Sequence, residues 1–196
     1  IKHLEQELGI EVLIRSKTGV YLTEAGAYVV EFAKKIIAEE EMKALIYSYQ
    51  QGQNFIETSY IYAGGQTMKF ISEFLKRVDR NKLFITVKIE NFIEKVEDIE
   101  EQLDKYLSIL GIDYADSILL HTPKASKIPL EESYKELKRL VSIGKSRNVS
   151  ASNLNIKELK MIVEELGIEL FSFEGLYNLE CKQNLSYSIP PLLNNK

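Results

Sequence analysis

Up to about residue 50 the apolar positions recur every three or four residues, interrupted by two short apolar runs. Ile1, Leu4 and Leu8 share one helical face, and Gly9 can close that helix as a left-handed cap. Val12-Leu13-Ile14 and Val20-Tyr21-Leu22 read as short strands on either side of the turn Ser16-Lys17-Thr18-Gly19. Thr23 is placed to cap a long helix with Tyr28, Phe32, Ile36 and Ile37 as an apolar stripe. That helix continues through Met42, Leu45, Ile46 and Tyr49 and ends near Gly52.

From there the pattern alternates between strand and helix. Strands are predicted at 55–58, 83–88, 116–121 and 146–151, with a last one near 168–173. Helices are predicted at 67–78, at 96–110 with Val96, Ile99, Leu103, Tyr106 and Leu110 on one face, from Pro129 with Tyr134, Leu137 and Val141, and from Asn155. Asn155 with Glu158 three residues on resembles a capping box. Gly111, Gly144 and Gly167 stand at the helix-to-strand corners. This alternation argues for an α/β fold with a parallel sheet covered by helices. Periodicity alone leaves open a doubly wound sheet or part of a (β/α)8 barrel.

Composition narrows the function classes. The 196 residues suffice for one domain or one and a fraction. A hydrophobic content of 45% and a charged content of 28% are ordinary for a globular protein, and eight Phe and 11 Tyr can fill a core. The net charge of −4 gives no global attraction to nucleic acid or anionic lipid. The single cysteine, Cys181, excludes an internal disulfide and fits a reducing cytoplasm, and it is expected to act as a small buried hydrophobe. No apolar run approaches the ~20 residues that cross a bilayer, and nothing reads as a signal peptide. No metal site is predicted.

The candidate chemistry lies at the ends of strands. Glu57 sits where Phe55-Ile56 meets a polar loop, and Tyr62 follows five residues later. Two other apolar runs end on polar residues, at Lys88 and at His121. If these are parallel strands of one sheet, a carboxylate, an ammonium, an imidazole and a phenol converge at one edge, as a proton-transfer site requires.

Two stretches resemble known families. Ile1-Lys2-His3-Leu4-Glu5-Gln6-Glu7-Leu8-Gly9, Arg15, Gly19 and Leu22-Thr23-Glu24-Ala25-Gly26 resemble the LysR-type winged helix-turn-helix of transcription regulators, over about residues 1–40. The resemblance begins partway along the recognition helix. It implies DNA as a partner, with Arg15 and Lys17 on the wing near the backbone, although residues 1–43 carry six Lys/Arg against eight Asp/Glu. The second resemblance, over about residues 40–180, is to the aldo-keto reductases. It is carried by Asn54-Phe55-Ile56-Glu57-Thr58-Ser59-Tyr60-Ile61-Tyr62, by Leu83-Phe84-Ile85-Thr86-Val87-Lys88, by Asp116 with Leu119-Leu120-His121, and by Ser150-Ala151-Ser152-Asn153.

That resemblance implies a (β/α)8 barrel that reduces small carbonyl compounds with NADPH. It makes Tyr62 the general acid, Lys88 the positive charge that favours phenolate character, and His121 the group that orients the carbonyl. Glu57 stands where the family has an aspartate paired with the lysine. Ser152 and Asn153 are implied to hold the nicotinamide carboxamide, with Glu174 at the position of a family glutamine and Ser150 at that of a glycine. The expected architecture is an incomplete barrel of about five β/α units over residues 41–196, behind a partial winged helix and linker helix over residues 1–40. On this expectation the first and last two barrel strands are missing, and with them the end that binds cofactor phosphates. Open sheet edges would then invite self-association. Two alternative readings stand beside the reductase: a fragment of a DNA-binding regulator, and an inactive chimeric remnant.

Overall fold

The computed structural model describes residues 1–16, 18–90 and 93–175. Lys17 and Cys181, named above, lie outside the described residues. Two compact units divide the chain, Ile1–Gln53 and Asn54–Lys196. The first runs to Gln53, three residues past the end of its unbroken long helix at Gln50, whereas the sequence-based boundary lies at 40.

In the first unit, α1 (Lys2–Leu8) ends on Gly9 in the left-handed conformation, and β1 (Leu13–Ser16) pairs antiparallel with β2 (Gly19–Leu22). The Glu5 carboxylate accepts the backbone N–H groups of Val12 and Leu13 at 2.8 and 3.0 Å, which fixes the entry into β1. The helix α2 (Glu24–Gln50) is capped by Thr23, whose hydroxyl oxygen accepts from the Gly26 N–H at 2.8 Å. A Cβ at position 26 would lie 2.0 Å from the Val12 carbonyl oxygen, so glycine is what lets α2 start against β1. The stripe Tyr28, Phe32, Ile36 and Ile37 is exposed. Buried apolar side chains in this unit are Val12 and Met42.

The second unit holds five parallel strands in chain order: β3 (Phe55–Ser59), β4 (Phe84–Ile89), β5 (Ser117–Leu120), β6 (Val149–Ser152) and β7 (Leu170–Glu174). A doubly wound sheet reverses its order at a switch point, whereas a barrel adds each strand beside the last, as here. Between the strands run α3 (Gln66–Leu75), α4 (Glu97–Leu110), α5 (Leu130–Ser142) and α6 (Ile156–Lys160), the last continued by a wider π-type turn over Met161–Glu165. Period-two alternation sorts the strand residues. On β4, Ile85, Val87 and Ile89 are fully buried in the layer with Met68, Phe74, Ile99 and Leu103 of α3 and α4. Phe84, Thr86 and Lys88 share the opposite face, where Phe84 stacks on Phe55 and Phe171 at 5.4 and 4.6 Å. The helices thus hold the sheet from one side, while its other face carries a run of polar groups. Among the described residues no helix is long and apolar enough to cross a membrane, and no cluster of His, Cys, Asp and Glu could hold a metal ion.

Candidate active site

Parallel register fixes which strand ends meet. Ser59 pairs with Lys88, Lys88 with Leu119, and Ser152 with Glu174, so the C-terminal ends of β3 to β7 form one polar edge. Tyr62 opens the short turn Tyr62–Gly65 directly after β3. In that turn Ala63, Gly64 and Gly65 all have positive φ (48°, 61° and 84°). A Cβ on Gly65 would meet the Tyr60 ring at 2.9 Å. Non-glycine residues in this conformation cost about 1 kcal/mol, so Ala63 marks strain beside the candidate acid.

Lys88 is the centre of one cluster. Its ammonium contacts the Glu57 carboxylate and lies 2.8 Å from Glu174 Oε2, and it sits 5.9 Å from the centroid of the Tyr62 ring. Burial works against the Lys88 charge, but hydrogen bonds with Glu174 and Glu57 and the contact with Tyr62 outweigh it and hold the group well above the usual lysine range. Burial also opposes ionisation of Glu57, and its hydrogen bonds with Glu174 and Lys88 reverse that, leaving its pKa below the ordinary value. Burial and the neighbouring Glu57 push Glu174 the other way, up to about 7. Of the two carboxyls over Lys88, Glu57 is thus favoured as the ionised member and Glu174 as the one that keeps its proton to higher pH.

His121 is the centre of a second cluster, and its ring meets that of Tyr62 edge-on at 5.7 Å and 88°. Its Nδ1 lies 3.2 and 3.4 Å from the two oxygens of Glu90 and 3.5 Å from Ser59 Oγ. The Ser59 hydroxyl donates a short hydrogen bond to Glu90 Oε1. Ser152 Oγ donates to the backbone oxygens of Leu120 and His121 at 2.7 and 2.9 Å, and Asn153 Nδ2 donates to the His121 oxygen at 2.9 Å. Ser150, buried, has its Oγ 2.6 Å from that of Ser117 and 2.9 Å from that of Ser172.

Tyr62, Lys88, Glu57 and His121 thus lie together, and Ser152 and Asn153 clamp the strand end that bears His121. Glu174, expected beside a nicotinamide, lies against Lys88 and Glu57. Arg15 is exposed on β1 in the other unit. Sequence reasoning missed Glu90 and Ser59. The signal was present, because period two puts Glu90 on the face of Lys88 and Ser59 on the face of Glu57.

A phenol flanked by a carboxylate-held ammonium and a carboxylate-held imidazole thus stands at the C-terminal edge of the parallel β/α sheet. The model of the aldo/keto reductase family matches residues 26–186, and the chain belongs to that family. A Saccharomyces cerevisiae relative, an NADPH-dependent alpha-keto amide reductase, is 35% identical over 89 residues, covering 43% of this chain and 28% of that protein. A glyoxal reductase of Bacillus subtilis is 30% identical over 133 residues, 67% of this chain and 46% of that protein. The matched stretch thus spans less than half the length of either relative. Among solved structures, a thermostable aldo-keto reductase superposes with a TM-score of 0.70 at 27% identity, covering 78% of this chain and 55% of the other. An aldo-keto reductase from Klebsiella pneumoniae in complex with NADPH shares the fold with a TM-score of 0.67 at 24% identity, covering 79% and 53%. The family match begins inside α2, earlier than the expected residue 40. None of these comparisons shows the regulator resemblance of residues 1–40.

Proposed function

We propose that the chain reduces a small aldehyde or ketone with NADPH, using Tyr62 as the proton donor. The observation that carries this reading is the convergence of Tyr62, Lys88, Glu57 and His121 at one edge of three adjacent strands. The carbonyl oxygen takes a proton from the Tyr62 hydroxyl as its carbon is reduced. Lys88, fixed as an ammonium by Glu57 and Glu174, stabilises the negative charge left on the phenol oxygen. His121 lines the same site, edge-on to the Tyr62 ring, and orients the substrate there.

The residues at the end of β6 fit a nicotinamide carboxamide. Asn153 has positive φ, which asparagine tolerates, and gives one amide N–H to the His121 oxygen. Among the described residues its Oδ1 and second N–H are left to meet an amide ligand. Ser152 commits its proton to backbone oxygens and offers lone pairs. Glu174, with its pKa near 7, can present either an acceptor or a donor at neutral pH. When bound, NADPH supplies the hydride.

Titration with NADPH tests binding, read by cofactor fluorescence, and carbonyl-dependent loss of NADPH tests chemistry. The expected result is saturable binding in both the native chain and Tyr62→Phe, with turnover in the native chain alone. Absence of saturable binding overturns the proposal.

A further inference from the structure

Glu90 is 2% exposed and lies two residues past Lys88, yet the reaction just described gives it no part. Such a buried carboxyl carries a large desolvation penalty unless partners repay it, so its partners define its role. Ser59 donates to its Oε1, and the Ile61 N–H donates to the Ser59 oxygen at 3.3 Å, so the single Ser59 proton is committed to Glu90. Around His121 Nδ1 there remain the two carboxylate oxygens at 3.2 and 3.4 Å and a Ser59 lone pair at 3.5 Å. Every one of these is an acceptor. A ring N–H on Nδ1 satisfies these acceptors, whereas a bare Nδ1 would set its lone pair against theirs, so the proton is placed on the ring.

The frame is rigid on both sides. The Glu90 backbone N–H donates to Gln102 Oε1 at 2.9 Å, and the Tyr106 hydroxyl donates to the same oxygen at 3.0 Å. The His121 N–H donates to the Ile89 oxygen at 2.8 Å, while Ser152 and Asn153 hold its carbonyl.

We propose that Glu90 is a positioning residue that fixes the proton of neutral His121 on Nδ1 and thereby makes Nε2 a hydrogen-bond acceptor in the site. Free histidine in water favours the opposite tautomer, so this is a state the protein imposes. Resting on the reductase reading, it leaves Tyr62 as the donor to the carbonyl oxygen and assigns His121 to accept from a hydroxyl or amide proton elsewhere on the substrate. Glu57 feels the His121 charge at longer range, while the hydrogen-bonding groups at Nδ1 among the described residues are Glu90 and Ser59.

The test is nitrogen-15 NMR of the intact chain at pH 8.5, where His3, the other histidine and an exposed one, serves as the internal reference. His121 is expected to show a protonated Nδ1 and an unprotonated Nε2. In Glu90→Gln the new amide can donate to Nδ1, so the pattern reverses, and Glu90→Asp restores it. A protonated Nε2 in the native chain, alone or with Nδ1, overturns the proposal, as does an unchanged pattern in Glu90→Gln. Should Glu90→Gln fail to fold, the native and Glu90→Asp spectra decide the question. In turnover, the preference in kcat/KM for hydroxyacetaldehyde over propanal is expected to fall about five- to tenfold in Glu90→Gln, and an unchanged ratio overturns the substrate-side role. Absence of turnover in every variant defeats the reductase reading, while the spectra still decide the tautomer.

Discussion

The same five strands end in two different charge clusters. At their N-terminal ends, Asp116 accepts from Arg80 Nη2 at 2.6 Å, from Arg147 Nη1 at 3.3 Å and from the Ile85 N–H at 2.9 Å. Both guanidiniums also lie against the Tyr114 ring, 4.8 and 4.2 Å from its centroid. At the C-terminal ends, one ammonium faces two carboxyls, Glu57 and Glu174, and a third, Glu90, faces an imidazole. A cavity of about 320 Å³ lies beside Arg80 and Tyr114, and one of about 500 Å³ lies beside Tyr60, Glu90 and the α4 residues Gln102 and Tyr106, a lining that does not include Tyr62, Lys88 or His121. What differs is whether protons can move. Two guanidiniums against one buried aspartate form an ion-paired set, which suits a staple. Mixed carboxyl, lysine, tyrosine and histidine groups form a set that can pass a proton.

Replacing Tyr62 by Phe sharpens this contrast most. Removing the proton donor is expected to lower carbonyl-dependent NADPH oxidation by roughly 10²–10⁴-fold, the usual worth of general acid catalysis. The melting temperature is expected to stay within about 2 °C, because Tyr62 is half-buried and its ring is retained. A variant with native turnover would remove Tyr62 from the chemistry.

Replacing Asp116 by Ala acts on the opposite end and should do the reverse. Asp116 is 2% exposed, and its loss leaves the Arg80 guanidinium facing the buried Ile85 N–H without a shared carboxylate. Breaking such a buried pair costs about 3 kcal/mol, the low end of its range because Arg147 reaches solvent. Urea denaturation measures the loss, and NADPH affinity of the folded fraction is expected to be unchanged. Weakened binding with full stability would mean that the two ends are not separate devices.

Much of this was legible in the sequence, and what was not has physical causes. The strand–helix alternation placed all five strands, since short runs such as Ile85-Thr86-Val87 and Ile118-Leu119-Leu120 are buried on both faces of the sheet. The start of β6 was set three residues early because Ser146 makes an isolated bridge to Ala115 before regular pairing resumes at Val149. Meeting of Lys88 with Glu57 followed from strand order. The engagement of Glu174 with Lys88 did not, because it depends on β7 lying within reach of β4 across the inner face, a long-range fact that no local pattern encodes. On α2, the stripe of Tyr28, Phe32, Ile36 and Ile37 reads as a buried face by its spacing and is exposed, since amphipathicity records what a helix can bury and not what it meets.

A smaller effect separates the ends by pH. The Glu174 pKa of about 7 lies above its ordinary 4.5, so between those values the folded chain binds more protons than the unfolded one. Stability from this group is thus fully present below 4.5 and is lost as pH rises towards 7. Glu57 has the opposite sign, its lowered pKa adding stability above 4.5 that is lost as pH falls. In Glu174→Gln the decline between pH 5 and pH 8 is expected to shrink by about 1 kcal/mol, after allowing for the partial solvent exposure of the carboxyl. Urea melts at the two pH values read it, and an identical slope in the variant would show that Glu174 does not keep its proton to higher pH.

The smallest effect probes the strip between the ends. Thr86 lies on β4 between Phe84 and Lys88, opposite Glu57, and its buried hydroxyl has no hydrogen-bond partner among the described residues. An unsatisfied buried hydroxyl is a net cost, and valine has nearly the same shape with the same preference for strands. Thr86→Val is therefore expected to stabilise the chain by up to about 1 kcal/mol, with turnover unchanged within twofold. A loss of stability of that size would mean that the hydroxyl holds a buried water.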